Sequence, residues 1–149
     1  MKEIVNSIQR LKQCYEMLVE NTDSIFNALK TRDYEKKKLL ELDTEKIYKQ
    51  KEAMESFLIQ LIIDKATNLG LEDKRIEAIL NVKMDLQDKM SIQYELDNML
   101  KIINKFQLNL KRNIEFAKAF IKVESEVHEI MFEAAERENY GPMLLNEEI

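Results

Sequence analysis

The sequence contains very few residues that interrupt helices or that commonly carry chemistry. Its 149 residues include two glycines, one proline, one cysteine, one histidine and no tryptophan. A single cysteine, Cys14, excludes an internal disulfide, and nothing else indicates an oxidising compartment. No stretch approaches the roughly 18 apolar residues of a membrane span, and the N-terminus lacks the continuous apolar core of a signal peptide. We therefore expect a cytoplasmic protein without a membrane anchor.

The composition that remains is typical of long helices. Apolar residues make up 45% of the chain and charged residues 34%, which favours coiled coils over disordered chains. The formal net charge of −5 provides no basic surface for nucleic acid and no strong attraction to anionic lipid. We predict a single all-α domain over residues 1–137, an elongated antiparallel bundle of three or four long helices with coiled-coil-like packing, and neither nucleic-acid nor membrane partners.

The first predicted helix covers residues 2–31. Its apolar positions alternate steps of four and three, which is the average spacing of a left-handed coiled-coil seam. These positions are Ile4, Ile8, Leu11, Tyr15, Leu18, Thr22, Ile25 and Leu29.

The few residues that cap or interrupt helices predict the other helix boundaries. Asp33 is in position to cap a second helix over 33–69, and Gly70 can take the left-handed conformation that ends it. The third segment, 72–137, can form one helix or two, with a bend expected near 88–91. A tail with a Tyr140-Gly141-Pro142 turn fills residues 138–149.

The residue types that most enzymes need are missing or isolated. His128 is the only histidine and Ser125 lies three residues before it, which excludes the Glu-x-x-His pairs of a di-metal bundle and a two-histidine zinc site. Cys14 is expected on the polar side of the first seam, with no second cysteine beside it. Phosphate-binding loops need several glycines in a short span, and the chain contains only two glycines, which argues against nucleotide binding. We predict that the protein is not an enzyme and has no catalytic residue, metal or cofactor.

Four polar residues occupy expected seam positions. Thr44 and Lys51 alternate with the apolar residues of the second helix, and Gln93 and Gln107 share a ladder in the third segment with Leu96, Leu100, Ile103, Leu110 and Ile114. A polar seam residue fixes register at a cost in stability, whereas the same residue at the seam's edge is simply solvated. Both interpretations remain open for each of the four.

The most informative feature is a double apolar stripe near the C-terminus. Its first part, which we call the C-terminal stripe, repeats at steps of four and three: Phe116, Phe120, Val123, Val127, Ile130 and Ala134. A neighbouring second stripe contains Ile114, Ala117, Ile121 and Met131. At ~100° per residue the two stripes together cover roughly 200° of the helix, about twice the arc that an ordinary core-facing helix needs.

Three interpretations account for this surplus of apolar surface. The C-terminal helix could pack on two partners inside its own bundle, form a homodimer interface, or bind an amphipathic helix of another protein. Each large side chain contributes ~1.5 to 3 kcal/mol when buried, so five of them could support micromolar binding after the entropy of association is subtracted. In the third interpretation the C-terminal stripe is the face that binds the partner helix, and all three interpretations remain open.

Several motifs along the chain are shared with a known family. They are Leu42-Asp43-Thr44-Glu45-Lys46, then Lys51-Glu52 with Met54, Leu58, Leu61, Lys65 and Leu69-Gly70, then Asn109 and Asn113, and finally Tyr140-Gly141-Pro142. Together they resemble the FlgN family of flagellar export chaperones, in which a lysine opens a leucine ladder and a Leu-Gly often ends the helix. The spacing of the two asparagines and Met143-Leu144 after the turn depart from the family pattern.

The resemblance implies a cytoplasmic chaperone of flagellar type III secretion. Such a chaperone holds hook-associated proteins of the hook-filament junction as unassembled monomers and delivers them to the export apparatus, with export-gate or ATPase components as further partners. Family members bind the client's C-terminal amphipathic segment largely through their own C-terminal helix, which is where this chain carries its surplus apolar surface.

Two other classes of protein remain open from the sequence. One is a structural or adaptor coiled coil whose C-terminal apolar stripe is a dimer interface. The other is an enzyme or ligand-carrying bundle, which would need a polar cavity with converging titratable groups.

Overall fold

The computed structural model describes residues 1–82 and 84–137, and all regular elements in this part of the chain are α-helices. They are α1 (Lys2–Lys30), α2 (Tyr34–Asn68), α3 (Ile76–Leu80) and α4 (Leu86–Arg137). The predicted all-α helical bundle is confirmed.

The chain divides into two compact units. The first comprises Met1–Leu110 and the second Lys111–Ile149. The sequence instead predicted a bundle over residues 1–137 followed by a tail over 138–149. That tail, with its expected Tyr140-Gly141-Pro142 turn, lies outside the described residues.

The α1–α2 turn forms where the sequence predicts it. The Asp33 carboxylate accepts a hydrogen bond from the backbone amide of Lys36 at 3.1 Å and so caps the first turn of α2. On the other side, Arg32 adopts a left-handed φ of 57°, and the Asp33 amide donates to the Ala28 carbonyl at 2.9 Å, which closes α1. The two helices therefore reverse direction over three residues.

The end of α2 is confirmed at Gly70. Its φ of 73° lies in the left-handed region, where a side chain would add strain. The amide of Gly70 donates to the Thr67 carbonyl and the amide of Leu71 to the Ala66 carbonyl, both at 3.0 Å. This is the Schellman arrangement, which satisfies carbonyl groups that the helix end leaves without partners.

The third segment is interrupted earlier than expected. The predicted bend near 88–91 is wrong, since these residues lie inside α4, and the break falls between Leu80 and Leu86. There the Asp85 carboxylate accepts from the Gln87 amide at 3.2 Å and starts a new helix without any glycine or proline. The segment's expected start at residue 72 is also wrong, because Asp73 binds the backbone amide and guanidinium of Arg75 and α3 begins only at Ile76.

Helix α1 lies at the centre of the first unit, which we call the bundle. All of its predicted seam residues are buried except Leu29, which is half-buried. Cys14 and Asn21 of α1 contact Met54 and Thr44 of α2, so these two helices are antiparallel. Gln9 and Thr22 of α1 contact Glu95 and Asn109 of α4, so α1 and the first part of α4 are parallel.

Tyr15 marks the point where three helices of the bundle meet. Its hydroxyl donates to the Glu55 carboxylate of α2 at 2.7 Å, and its ring meets Phe106 of α4 edge to face, with the ring centroids 6.1 Å apart. Burial, together with the bond to Glu55, raises the pKa of the Tyr15 hydroxyl well above its ordinary value. The hydroxyl is therefore a structural donor rather than an acid.

A candidate docking surface on the C-terminal helix

The described part of the second unit is the helical stretch from Lys111 to Arg137, and it presents the C-terminal stripe. None of the six stripe residues is buried. Val123, Val127 and Ile130 expose 57%, 48% and 65% of their surface, and Ala134 is also exposed. The described part of the chain therefore does not seal the stripe within a core.

The two aromatic residues of the stripe lie together. Phe116 and Phe120 are one turn apart and half-buried, and their rings stack with centroids 6.5 Å apart and an interplanar angle of 19°. Aromatic rings supply large apolar areas with little conformational freedom to lose, which suits them as anchors in a binding face.

The second stripe is exposed as well. Ile114, Ile121 and Met131 each expose more than half of their surface, while Ala117 is half-buried. Every residue from Ile121 to Ala134 is in fact exposed. An apolar patch of this extent is unusual on a surface that contacts only water, and such patches mark sites of interaction.

The face of α4 that is buried in the bundle, with its polar residues, is not the face that the sequence predicted. Gln93 and Gln107 are exposed, as are Leu100 and Leu110 of the same ladder. The buried face is offset from that ladder by one residue and consists of Ile92, Glu95, Met99, Phe106 and Asn109. An offset of one residue turns a helix by about 100°, which separates the covered face from the solvated one.

Glu95 and Asn109 are the buried polar residues that the sequence interpretation missed on this face. The Glu95 carboxylate accepts from the Gln9 amide at 3.1 Å and from the Lys12 ammonium at 3.2 Å. The hydrogen bond from Gln9, and then the bond and charge of Lys12, lower the pKa of Glu95.

Asn109 is satisfied in a similar way by α1. Its amide nitrogen lies 3.3 Å from the Val19 carbonyl, 3.1 Å from the Thr22 hydroxyl and 3.1 Å from the Asp23 carboxylate. The signal that would have identified Glu95 and Asn109 is their four-three spacing with Ile92, Met99 and Phe106. Both are internal to the bundle and are satisfied by α1, which suits a role in fixing register.

The polar seam residues of α2 behave as packed residues. Lys51 is buried, with its ammonium 3.3 Å from Glu55 and 4.2 Å from the centroid of the Tyr48 ring. Thr44 is half-buried, and its hydroxyl accepts from Asn21 at 3.4 Å. The Lys51 ammonium also lies 5.7 Å from the centroid of the Tyr15 ring of α1, and this contact between helices favours the register interpretation for the residue.

Cys14 is buried, so its predicted place on the polar side of the seam is wrong. Its sulfur lies 3.4 Å from the Met54 sulfur, and burial raises the pKa of the thiol. The reason is that both α2 and α4 cover α1, which buries a wider arc than one seam; Ser7 and Ala28 lie in the same additional row.

Metal-binding clusters are absent from the described residues. Within 1–82 and 84–137, no group of three or more His, Cys, Asp or Glu side chains is placed to hold a metal ion, and His128 is exposed. An open groove beside the start of α4 is lined by Asp85, Leu86, Gln87, Met90, Ser91 and Tyr94. The Asp85 carboxylate there already accepts from the Gln87 amide, as described above. Among the described helices, none is long and apolar enough to cross a membrane.

Comparisons of the chain with protein-family models, with curated proteins and with solved structures find no match. The resemblance to the FlgN family therefore rests on the sequence motifs alone. Of these, Lys51, Leu58 and Gly70 lie on α2 and at its end, where they build the bundle, while the exposed apolar surface lies on α4.

Proposed function

We propose that the protein is a cytoplasmic export chaperone that binds the C-terminal amphipathic segment of flagellar hook-associated proteins. The observation that supports this most directly is the exposure of Val123, Val127 and Ile130 on successive turns of α4. The FlgN-like motifs supply the identity of the client, and the stripe supplies a surface on which an amphipathic helix can lie.

The proposed mechanism is masking and requires no chemistry. A client helix that assembles with its neighbours through an apolar face cannot do so while that face is covered by the C-terminal stripe. Burial of a few apolar side chains on each partner, less the entropy of association, gives an affinity of about micromolar. Such an affinity allows release when the client reaches the type III export apparatus, whose gate or ATPase components are further proposed partners.

A calorimetric titration of a purified hook-associated protein into the full chain tests the proposal. We expect one client per chain, and no heat of binding from a client that lacks its C-terminal amphipathic segment. The double variant Val127→Ser/Ile130→Ser should weaken binding at least tenfold, because it removes two exposed apolar contacts, each worth ~1 kcal/mol or more. Its far-UV circular dichroism should match that of the parent.

The matched control is Ile59→Ser, which changes an isoleucine of similar exposure on α2 of the bundle. It should bind the client like the parent. Equal loss of binding in this control, or full binding of client by the double variant, would contradict the assignment of the site. A chain that binds no hook-associated protein would contradict the function itself.

The structural or adaptor coiled coil is the alternative, and it makes a different prediction for the isolated chain. Its stripe would be covered by a second copy, so sedimentation velocity would show a dimer that persists on dilution and on addition of client. For the chaperone we instead expect added client to bind the chain, so that the two proteins sediment together.

A further inference from the structure

The net charge of the chain is concentrated beside the exposed stripe. Between Val123 and Glu136 there are five glutamates and no lysine, arginine or aspartate: Glu124, Glu126, Glu129, Glu133 and Glu136. With His128 neutral, this stretch carries −5, which equals the formal charge of the entire chain. The rest of the chain is therefore neutral overall, and these five glutamates are the longest run of like charges in the sequence.

Three of these glutamates lie along the edges of the stripe. Glu124 directly follows Val123 on one edge, while Glu126 and Glu133 directly precede Val127 and Ala134 on the other. These are the positions from which side chains reach across to a partner helix in a coiled coil. The nearest lysines are Lys122, one turn before Glu126 on the outer side of the same edge, and Lys118, which falls opposite the stripe by the same spacing.

The edge glutamates are available to a partner. Glu124 and Glu126 are exposed and form no ion pair within the described residues, and Glu133 is 3.8 Å from the exposed guanidinium of Arg137. We propose that the segment bound by the C-terminal stripe is a cationic amphipathic helix, with lysine or arginine on both sides of its apolar face. This inference rests on the proposed function and specifies the chemistry of the client.

A second copy of this chain fits the stripe less well. Consider an antiparallel pair that places Val123 against Val127 of the other copy. Glu124 then lies opposite Glu124 of the other copy on one edge, and Glu126 lies opposite Glu126 on the other edge. In a parallel pair in register, the two acidic stretches, each of charge −5, lie side by side at the same level. Like charges at these positions are unfavourable, whereas a cationic helix forms attractive pairs on both edges.

The test uses two synthetic helical peptides of about three heptads each. They share one apolar face and differ only in their flanking residues, which are lysine in one peptide and glutamate in the other. Fluorescence anisotropy with the full chain should show the lysine peptide binding about tenfold tighter at low salt, because several exposed pairs each add a small factor. At about 1 M salt, where the screening length is ~3 Å, the two affinities should converge to within about twofold.

A charge reversal identifies the residues responsible. Glu124→Lys/Glu126→Lys should abolish or invert the preference, whereas Glu52→Lys/Glu72→Lys, which makes the same change in net charge at exposed positions of the bundle, should leave it intact. Equal binding of both peptides by the parent chain would overturn the charge inference and leave the proposed function standing. If neither peptide binds and the chain sediments as a stable dimer, the second copy is the occupant and both proposals fail.

Discussion

The two parts of α4 present apolar residues at the same seven-residue interval with opposite outcomes. In the bundle, Ile92, Met99 and Phe106 are buried. In the second unit, Val123 and Ile130 repeat at the same interval and are exposed. The interval selects a face of the helix in both units, but whether that face is covered depends on which other helices lie against it.

The covered face is also the more polar of the two. Glu95 and Asn109 interrupt it and form hydrogen bonds with side chains and a carbonyl of α1. The C-terminal stripe contains no polar residue from Phe116 to Ala134. A buried polar group needs a partner at a fixed position, which a neighbouring helix of the same chain supplies permanently. An apolar face has no such requirement and can be covered by a partner that comes and goes.

The largest expected effect is a difference in stability between matched isoleucines. Ile92→Ala in the bundle should lower the free energy of unfolding by about 2 to 5 kcal/mol, because it removes fully buried methyl groups and leaves a cavity. Ile130→Ala at an exposed site should change it by less than about 0.5 kcal/mol. Urea denaturation followed by circular dichroism measures both. A comparable loss from Ile130→Ala would mean that the stripe is covered in the isolated chain.

An intermediate effect is expected from the polar group of the buried face. Asn109→Ala should destabilise the bundle by about 1 to 3 kcal/mol, because it removes hydrogen bonds to α1 from a buried site. The matched control is Asn104→Ala, which changes an exposed asparagine on the same helix and should cost little. Equal effects of the two substitutions would show that the hydrogen bonds of Asn109 do not contribute to the stability of the bundle.

The smallest expected effect depends on pH. The folded-state pKa of Glu95 is lower than the ordinary value of 4.5, so its ionised form adds stability that is complete above about pH 4.5 and is lost as the pH falls through the folded value. Glu95→Gln should therefore be about 1 kcal/mol less stable than the parent near neutral pH. Urea midpoints measured from pH 7 to pH 3 should show this gap closing on the acid side. A gap that stays constant would mean that the charge of Glu95 does not stabilise the bundle.

Local signals allowed accurate prediction where one short stretch of chain decides the structure. The seam of α1, the cap at Asp33 and the helix end at Gly70 each follow from a few neighbouring residues, and the structure confirms them. The break before α4 was misplaced because no glycine or proline marks it. Its local signal is Asp85, whose carboxylate caps the new helix, and an aspartate in a polar stretch is too common to be decisive.

At the candidate site, too, the sequence predicted one feature and left another undecided. The stripe of Phe116, Val123, Val127 and Ile130 could be identified from spacing, since helical periodicity is a property of the chain itself. The exposure of the stripe could not be predicted, because a stripe wide enough to pack against two helices is compatible with burial, with dimerisation and with client binding. The burial of Cys14 was missed for a related reason: how many helices surround α1 cannot be deduced from α1.

The amino-acid sequence alone determined that the chain is helical, where its first two helices end, which side chains share a face, and that all of the net negative charge falls beside the C-terminal stripe. The tertiary structure decided which of these faces are covered, placing Glu95, Asn109, Lys51 and Cys14 inside the bundle and leaving Val123, Val127 and Ile130 at the surface. The physical reason is that periodicity and capping act over one or two helical turns, whereas burial requires residues distant in the chain to meet.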